Sequence, residues 1–218
     1  MGATTSPSPD ARIARFSRAE RWVHRSITAL MIVLIATAAA LYFPDISVLV
    51  GNRPIVSNIH VIAGFVIPIP LILALASRAF RQDAELLNRF TAQDWKWLRS
   101  RDRRSGRIPV GKFNAGQKII FWAVMIGGLS VSLSGIALMF PFQTTMFADT
   151  FTLLNGLGLS LPTDFTAMQE QQLNQLWHGF VPLALIVMIM AHIYIGSVGM
   201  EGALDAMNSG RVDRNWAK

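Results

Sequence analysis

The chain has four histidines, His24, His60, His178 and His192, and no cysteine. Two of the four lie fourteen residues apart in "LWHGFVPLALIVMIMAHIYIG", Leu176 to Gly196, a stretch apolar enough to cross a membrane. Fourteen residues of α-helix rise about 21 Å and return to within about 40° of the same face. One helix would then carry two imidazoles on one side at two depths. Imidazole inside hydrocarbon is costly, and its presence there points to function. The lack of cysteine excludes thiolate zinc sites, iron–sulfur clusters held by this chain alone, and haem attached through C-x-x-C-H.

The elements that must position these rings are membrane helices. Of 218 residues, 52% are hydrophobic and only 15% charged, with mean hydropathy +0.39. Four apolar runs approach the roughly 20 residues needed to span hydrocarbon: Ile27–Phe43, Ile59–Ala76, Ile119–Phe140 and Leu176–Val198. The expected fold is an all-α, integral-membrane four-helix bundle, read as one domain over 1–218. Its helices are expected near 22–43, 58–80, 117–140 and 175–200, after a flexible arm over 1–16 and before a tail over 199–218. The first run lacks a small-residue cleavage pattern and is expected to be retained.

Charge placement orients the helices. The segment Arg81–Lys112 holds nine Lys or Arg against four acids, and residues 1–25 add five arginines. Residues 141–175 have no Lys or Arg, only Asp149, Asp164 and Glu170. The positive-inside rule then places both termini and the basic loop in the cytoplasm, against lipid headgroups rather than nucleic acid. Pro68 and Pro70 are expected to interrupt the second helix. "TAQDWKWL" reads as an interfacial helix capped at Thr91. Residues 141–175 leave room for a short amphipathic helix. Gly127, Gly128, Ser130, Ser132, Ser134 and Gly135 give the third run a small-residue face, suited to close helix packing, to a planar cofactor, or to both.

Sorting the histidines by depth yields two pairs, His60 with His178 outside and His24 with His192 inside. Two imidazoles alone make an incomplete zinc site. They complete the shell of a haem iron, whose porphyrin supplies four nitrogens. Two b-type haems, bound without covalent links, are therefore expected across the bilayer. Gly64 and Gly196, four residues after His60 and His192, would allow close approach of the macrocycle edge. Arg21 and Arg25 suit haem propionates or serve as topology charges.

The chain resembles the gamma subunit of respiratory formate dehydrogenase, within the membrane cytochrome b superfamily. The resemblance is carried by "FSRAERWVHRS", "NIHVIAGFV", "KFNAGQKIIFW", the paired histidines of the last run and "GMEGALDAMNSGRVDRNWAK". Members of that family often continue beyond the "WAK" that ends this sequence. The resemblance implies a multi-pass protein of the bacterial inner membrane. It implies electron entry from a periplasmic iron–sulfur beta subunit, itself served by a molybdenum- or tungsten-containing catalytic alpha subunit. It also implies reduction of a quinone, menaquinone or ubiquinone, on the cytoplasmic side. The family's quinone site carries over to Asn114, Gly116, Gln117 and His192. Asn and Gln amides suit quinone carbonyls, and "NAGQ" equally suits a helix cap. Formate oxidation itself would belong to another chain. Alternatives are the cytochrome b subunit of a membrane hydrogenase or other dehydrogenase, and a free-standing di-haem superoxide:quinone oxidoreductase. A haem-free anchor or proton-relaying transporter stands as a different class.

Overall fold

The computed structural model describes residues 12–100, 110–200 and 202–213. Four of its helical segments are long and apolar enough to cross a membrane: Arg18–Tyr42, Arg53–Ala74, Ala115–Met139 and Ala167–Gly199. Only 6% to 17% of each apolar window is buried by the chain's own atoms. So thin a self-made core, with large apolar side chains exposed on every span, calls for lipid as the solvent. The chain divides into two compact units, one drawn from Met1–Ala115 and Tyr194–Lys218, the other Gly116–Ile193.

In the first unit, strand β1 (Ile13–Ala14) pairs antiparallel with β2 (Arg211–Val212), so the last residues of the expected arm over 1–16 are tied to the tail, while 1–11 lie outside the described residues. Arg15 and Phe16 both donate backbone N–H groups to the Gly210 carbonyl. Gly210 adopts φ 78°, and a Cβ there would meet the Phe16 carbonyl oxygen at 2.6 Å; only glycine fits. Helix α1 (Arg18–Tyr42) begins well before its apolar run, because Ser17 and Glu20 close a capping box. After α2 (Pro44–Val50), the second span is built from α3 (Arg53–Val66) and α4 (Pro68–Ala74), with the interruption at Ile67 where the prolines require it. Both α3 and α4 pack along α1.

Two short amphipathic helices follow, α5 (Arg78–Asn88) and α6 (Ala92–Arg99). Thr91 caps α6 as expected, in a capping box with Asp94, and Trp95 stays exposed.

Helix α7 (Ala115–Met139) provides the third span, and α8 (Met146–Asn155) is the short helix anticipated in the loop after it. Helix α9 (Ala167–Tyr194) starts eight residues before the expected position 175. Thr166 and Gln169 explain this: Gln169 N–H donates to Thr166 Oγ1 at 3.3 Å, and Thr166 N–H donates to Gln169 Oε1 at 2.8 Å. The box starts the helix in polar sequence, before hydropathy rises. Glu170, almost fully buried, accepts from the Phe147 and Ala148 backbone N–H groups at 3.0 and 2.7 Å, fixing the start of α8 against α9. Phe147 meets Trp177 edge-on at 5.9 Å. Gly127 of α7 lies so close to Leu185 of α9 that a Cβ would meet it at 2.8 Å, which assigns this small residue to packing. A π-helical turn, Ile195–Gly199, ends the fourth span, and α10 (Ala203–Ser209) leads to β2.

Candidate haem and quinone sites

His24 and His60 both belong to the first unit and occupy opposite ends of α1 and its partner. His24 is on the second turn of α1 and exposed. His60 lies on α3, and its Nδ1 is 2.8 Å from Thr37 Oγ1 of α1. Thirteen residues of helix separate His24 from Thr37, a rise of about 20 Å. The two rings therefore serve different depths.

The Thr37 contact decides which nitrogen of His60 carries the proton. Thr37 Oγ1 already donates to the Val33 carbonyl at 2.7 Å, with Leu34 O at 3.1 Å. The remaining hydrogen bond must be donated by the ring, so the proton sits on Nδ1 and the lone pair on Nε2, as assigned from the network. Thr37 carried no separate signal in the sequence. A threonine in an apolar helix usually bonds its own preceding turn, and here it does that and anchors the imidazole as well.

The second unit repeats the device with different residues. His178 Nδ1 is 3.0 Å from Ser134 Oγ and 3.1 Å from the Val131 carbonyl oxygen. Ser134 donates its own proton to the same carbonyl at 2.9 Å. A ring nitrogen can approach a carbonyl this closely only as a donor, so Nδ1 again holds the proton and Nε2 the lone pair. Ser134 is fully buried, and Gly135 leaves the space the ring needs: a Cβ there would meet His178 Cε1 at 3.0 Å. The small-residue face of the third run thus divides its work, Gly127 for packing and Ser134 with Gly135 for His178. Pro182 has no N–H to give the His178 carbonyl, so regular helix bonding is interrupted at this turn.

His192 lies on the same α9, exposed, about 21 Å further along. Among the described residues, no three of His, Asp or Glu gather into a cation site. Gly64 and Gly196 face open space, since an added Cβ would meet nothing within 4 Å at either. Arg21 and Arg25 donate to the Asn208 carbonyl at 2.8 and 3.1 Å, cations at the end of α10.

Asn114 immediately precedes the first residue of α7, the position of a cap; Gly116 and Gln117 fall in the first turn, all three half-buried. The approach to this segment is fixed by residues the sequence reading had passed over. Arg15 donates to the Lys112 carbonyl, and Lys112 Nζ donates to Asp83 Oδ2 and stands 3.9 Å from Glu20 Oε1. The ammonium also lies over the Phe16 and Phe113 rings, 5.0 and 5.6 Å from their centroids. Burial, and then the facing Glu20 carboxyl, push the Asp83 carboxyl up to about 6, with Lys112 opposing.

Residues 15–210 match the family described as prokaryotic cytochrome b561. The chain belongs to that family. Membership brings a b-type haem and a membrane electron-transfer role, and with four apolar spans it makes this cytochrome a multi-pass protein of the bacterial inner membrane. Curated relatives agree. The formate dehydrogenase cytochrome b556(fdo) subunit of Escherichia coli strain K12 is 34% identical over 108 residues, 50% of this chain and 42% of that protein. The nitrate-inducible formate dehydrogenase cytochrome b556(Fdn) subunit of the same strain is 30% identical over 109 residues, 50% of this chain and 41% of that protein. The cytochrome thus aligns with about two fifths of the length of these relatives. Its residues fit the group the family implies. Two histidines are held by Nδ1 with the basic nitrogen turned to Nε2, the usual support for an imidazole that ligates a metal.

Proposed function

We propose that this cytochrome is the membrane electron-transfer subunit of a formate dehydrogenase, carrying electrons from a periplasmic iron–sulfur subunit through two b-type haems to a quinone reduced on the cytoplasmic side. His60 and His178 would be the axial ligands of the outer haem and His24 and His192 those of the inner one, with both termini in the cytoplasm. A catalytic alpha subunit would oxidise formate. The observation that carries the reading is the matched anchoring of His60 and His178, which presents Nε2 as the ligating atom on both rings.

When bound, the haems supply one-electron redox centres at two depths. The protein's part is to hold and orient. Thr37 fixes one ring, and Ser134 with the Val131 carbonyl fixes the other, so neither imidazole needs to reorient as charge arrives and leaves. Ligation by two imidazoles would leave no open position, which favours electron transfer over substrate chemistry. Asn114, Gly116, Gln117 and His192 would hold the quinone, the amides donating to its carbonyls.

The functional test is a visible difference spectrum of membranes enriched in the complex, reduced first by formate and then by dithionite, with quinone reoxidation blocked. Formate is expected to reduce most of the dithionite-reducible b-type haem. Bands that appear with dithionite alone would transfer the chain to a hydrogenase or another donor. Gly135→Val should disturb one ligand only. It pushes the His178 ring off its anchors and is expected to weaken haem retention at that site about tenfold, the lower end for lost ligand support. Haem b per chain after dilution in detergent measures it.

A further inference from the structure

Glu20 of α1 and Asp83 of α5 are each only 8% exposed, and their carboxyl groups lie within hydrogen-bonding reach of one another. Two ionised carboxylates cannot share a hydrogen bond; one proton must lie between them. Glu20 Oε2 accepts from the Ser17 N–H at 2.6 Å, whereas the buried Oε1 accepts no hydrogen bond from an N–H donor and has the Lys112 ammonium 3.9 Å away. Among the described residues, the charged groups facing the pair are Lys112, from the segment before α7, and Arg15, from the strand end, whose charge acts on Asp83. Lys112 is two residues from Asn114, and its carbonyl is held by Arg15. A buried carboxyl pair is thus tied through Lys112 to the segment assigned to the quinone.

We propose that Glu20 and Asp83 form a proton-holding pair that supplies the protons of quinone reduction at the Asn114–Gln117 segment. The proposal rests on the quinone reading above and names the proton source that reading requires. Conversion of a quinone to a quinol takes two electrons, which the b-type haem centres would deliver one at a time, and two protons. Each proton leaves a carboxyl O–H as a quinol O–H forms, and the carboxylate is reprotonated from water before the next transfer. Lys112 holds the resulting carboxylate without neutralising the pair completely. A group that titrates near 6 keeps enough of the protonated form near neutral pH to donate and is readily refilled.

The test uses the haem-loaded protein in lipid nanodiscs, reduced by dithionite in slight excess and mixed with menadione or with ferricyanide. Ferricyanide takes electrons without protons. In the unaltered protein the ratio of menadione to ferricyanide rates should fall as pH rises through about 6. Asp83→Asn should lower that ratio about 100-fold and abolish its pH break. Glu20→Gln should move the break below about 6, because the facing charge is gone while burial remains. An infrared titration of the protonated-carboxyl band, independent of turnover, should lose the corresponding band in Asp83→Asn and shift it in Glu20→Gln. An Asp83→Asn protein with the unaltered ratio and pH profile would overturn the proposal and leave the cluster a structural clasp. Unaltered protein that reacts with ferricyanide but with no quinone at any pH would overturn the quinone reading itself.

Discussion

His178→Ala is expected to remove about half of the dithionite-reducible b-type absorbance, and His192→Ala the other half. Under the proposed assignment each substitution would delete one of the two imidazoles holding one haem and leave the other depth, about 21 Å away, untouched. The double variant should show no b-type bands. His178 has the larger structural consequence, because Ser134, fully buried, loses the ring packed against it, and the Val131 carbonyl loses a donor. The pairing across helices follows from the same comparison. His60→Ala should reproduce the spectrum of His178→Ala, and His24→Ala that of His192→Ala. Optical spectra of membranes from the four single variants, normalised to protein by immunoblot, measure this directly. Crossed pairing, with His60→Ala matching His192→Ala, would contradict the depth assignment.

Lys112→Met should cost the first unit about 3–5 kcal/mol near neutral pH, the usual penalty for breaking one side of a buried charge cluster. The ammonium is the group between two buried carboxyls, Asp83 and Glu20, with side-chain exposures of 24%, 11% and 8%. Methionine replaces the stem but not the charge, so the carboxyls face each other uncompensated. The penalty should depend on pH in a definite direction. Asp83 already has its folded-state value raised from 3.8 to about 6, by burial first and by Glu20 next. A raised carboxyl favours the fold below its unfolded value, and that advantage is lost as pH rises through the folded value. Without Lys112 the folded value rises further, so the deficit should be small at pH 5 and large at pH 8. Thermal loss of the monodisperse peak in detergent, for both proteins at both pH values, reports it. An equal deficit at the two pH values would show that packing over the Phe16 and Phe113 rings, and not charge, is what Lys112 supplies.

The spans were legible because hydrocarbon demands long apolar runs, and little else in a sequence looks like one. Their ends were not, for a local reason. Ser17 with Glu20 starts α1 at Arg18, and Thr166 with Gln169 starts α9 at Ala167, both in polar sequence that hydropathy ignores. The S-x-x-E and T-x-x-Q patterns were there to be read. The histidines announced themselves by being few and by their spacing. Their anchors divided: Ser134 and Gly135 stood out as small residues in an apolar run, whereas Thr37 became meaningful only once α1 and α3 lay side by side. The ion cluster was hidden for a stronger reason. Asp83 and Lys112 are 29 residues apart in a basic loop, where each reads as one more surface charge until the fold buries them together.

The measurement that bears most directly on the two-haem assignment is the haem b content per chain, by pyridine haemochromogen against amino-acid analysis. It should be made on protein purified from cells given ample haem precursor. Four histidines ligating in two pairs require two haems per chain. One haem per chain would contradict the pairing, and none would contradict ligation by these histidines altogether.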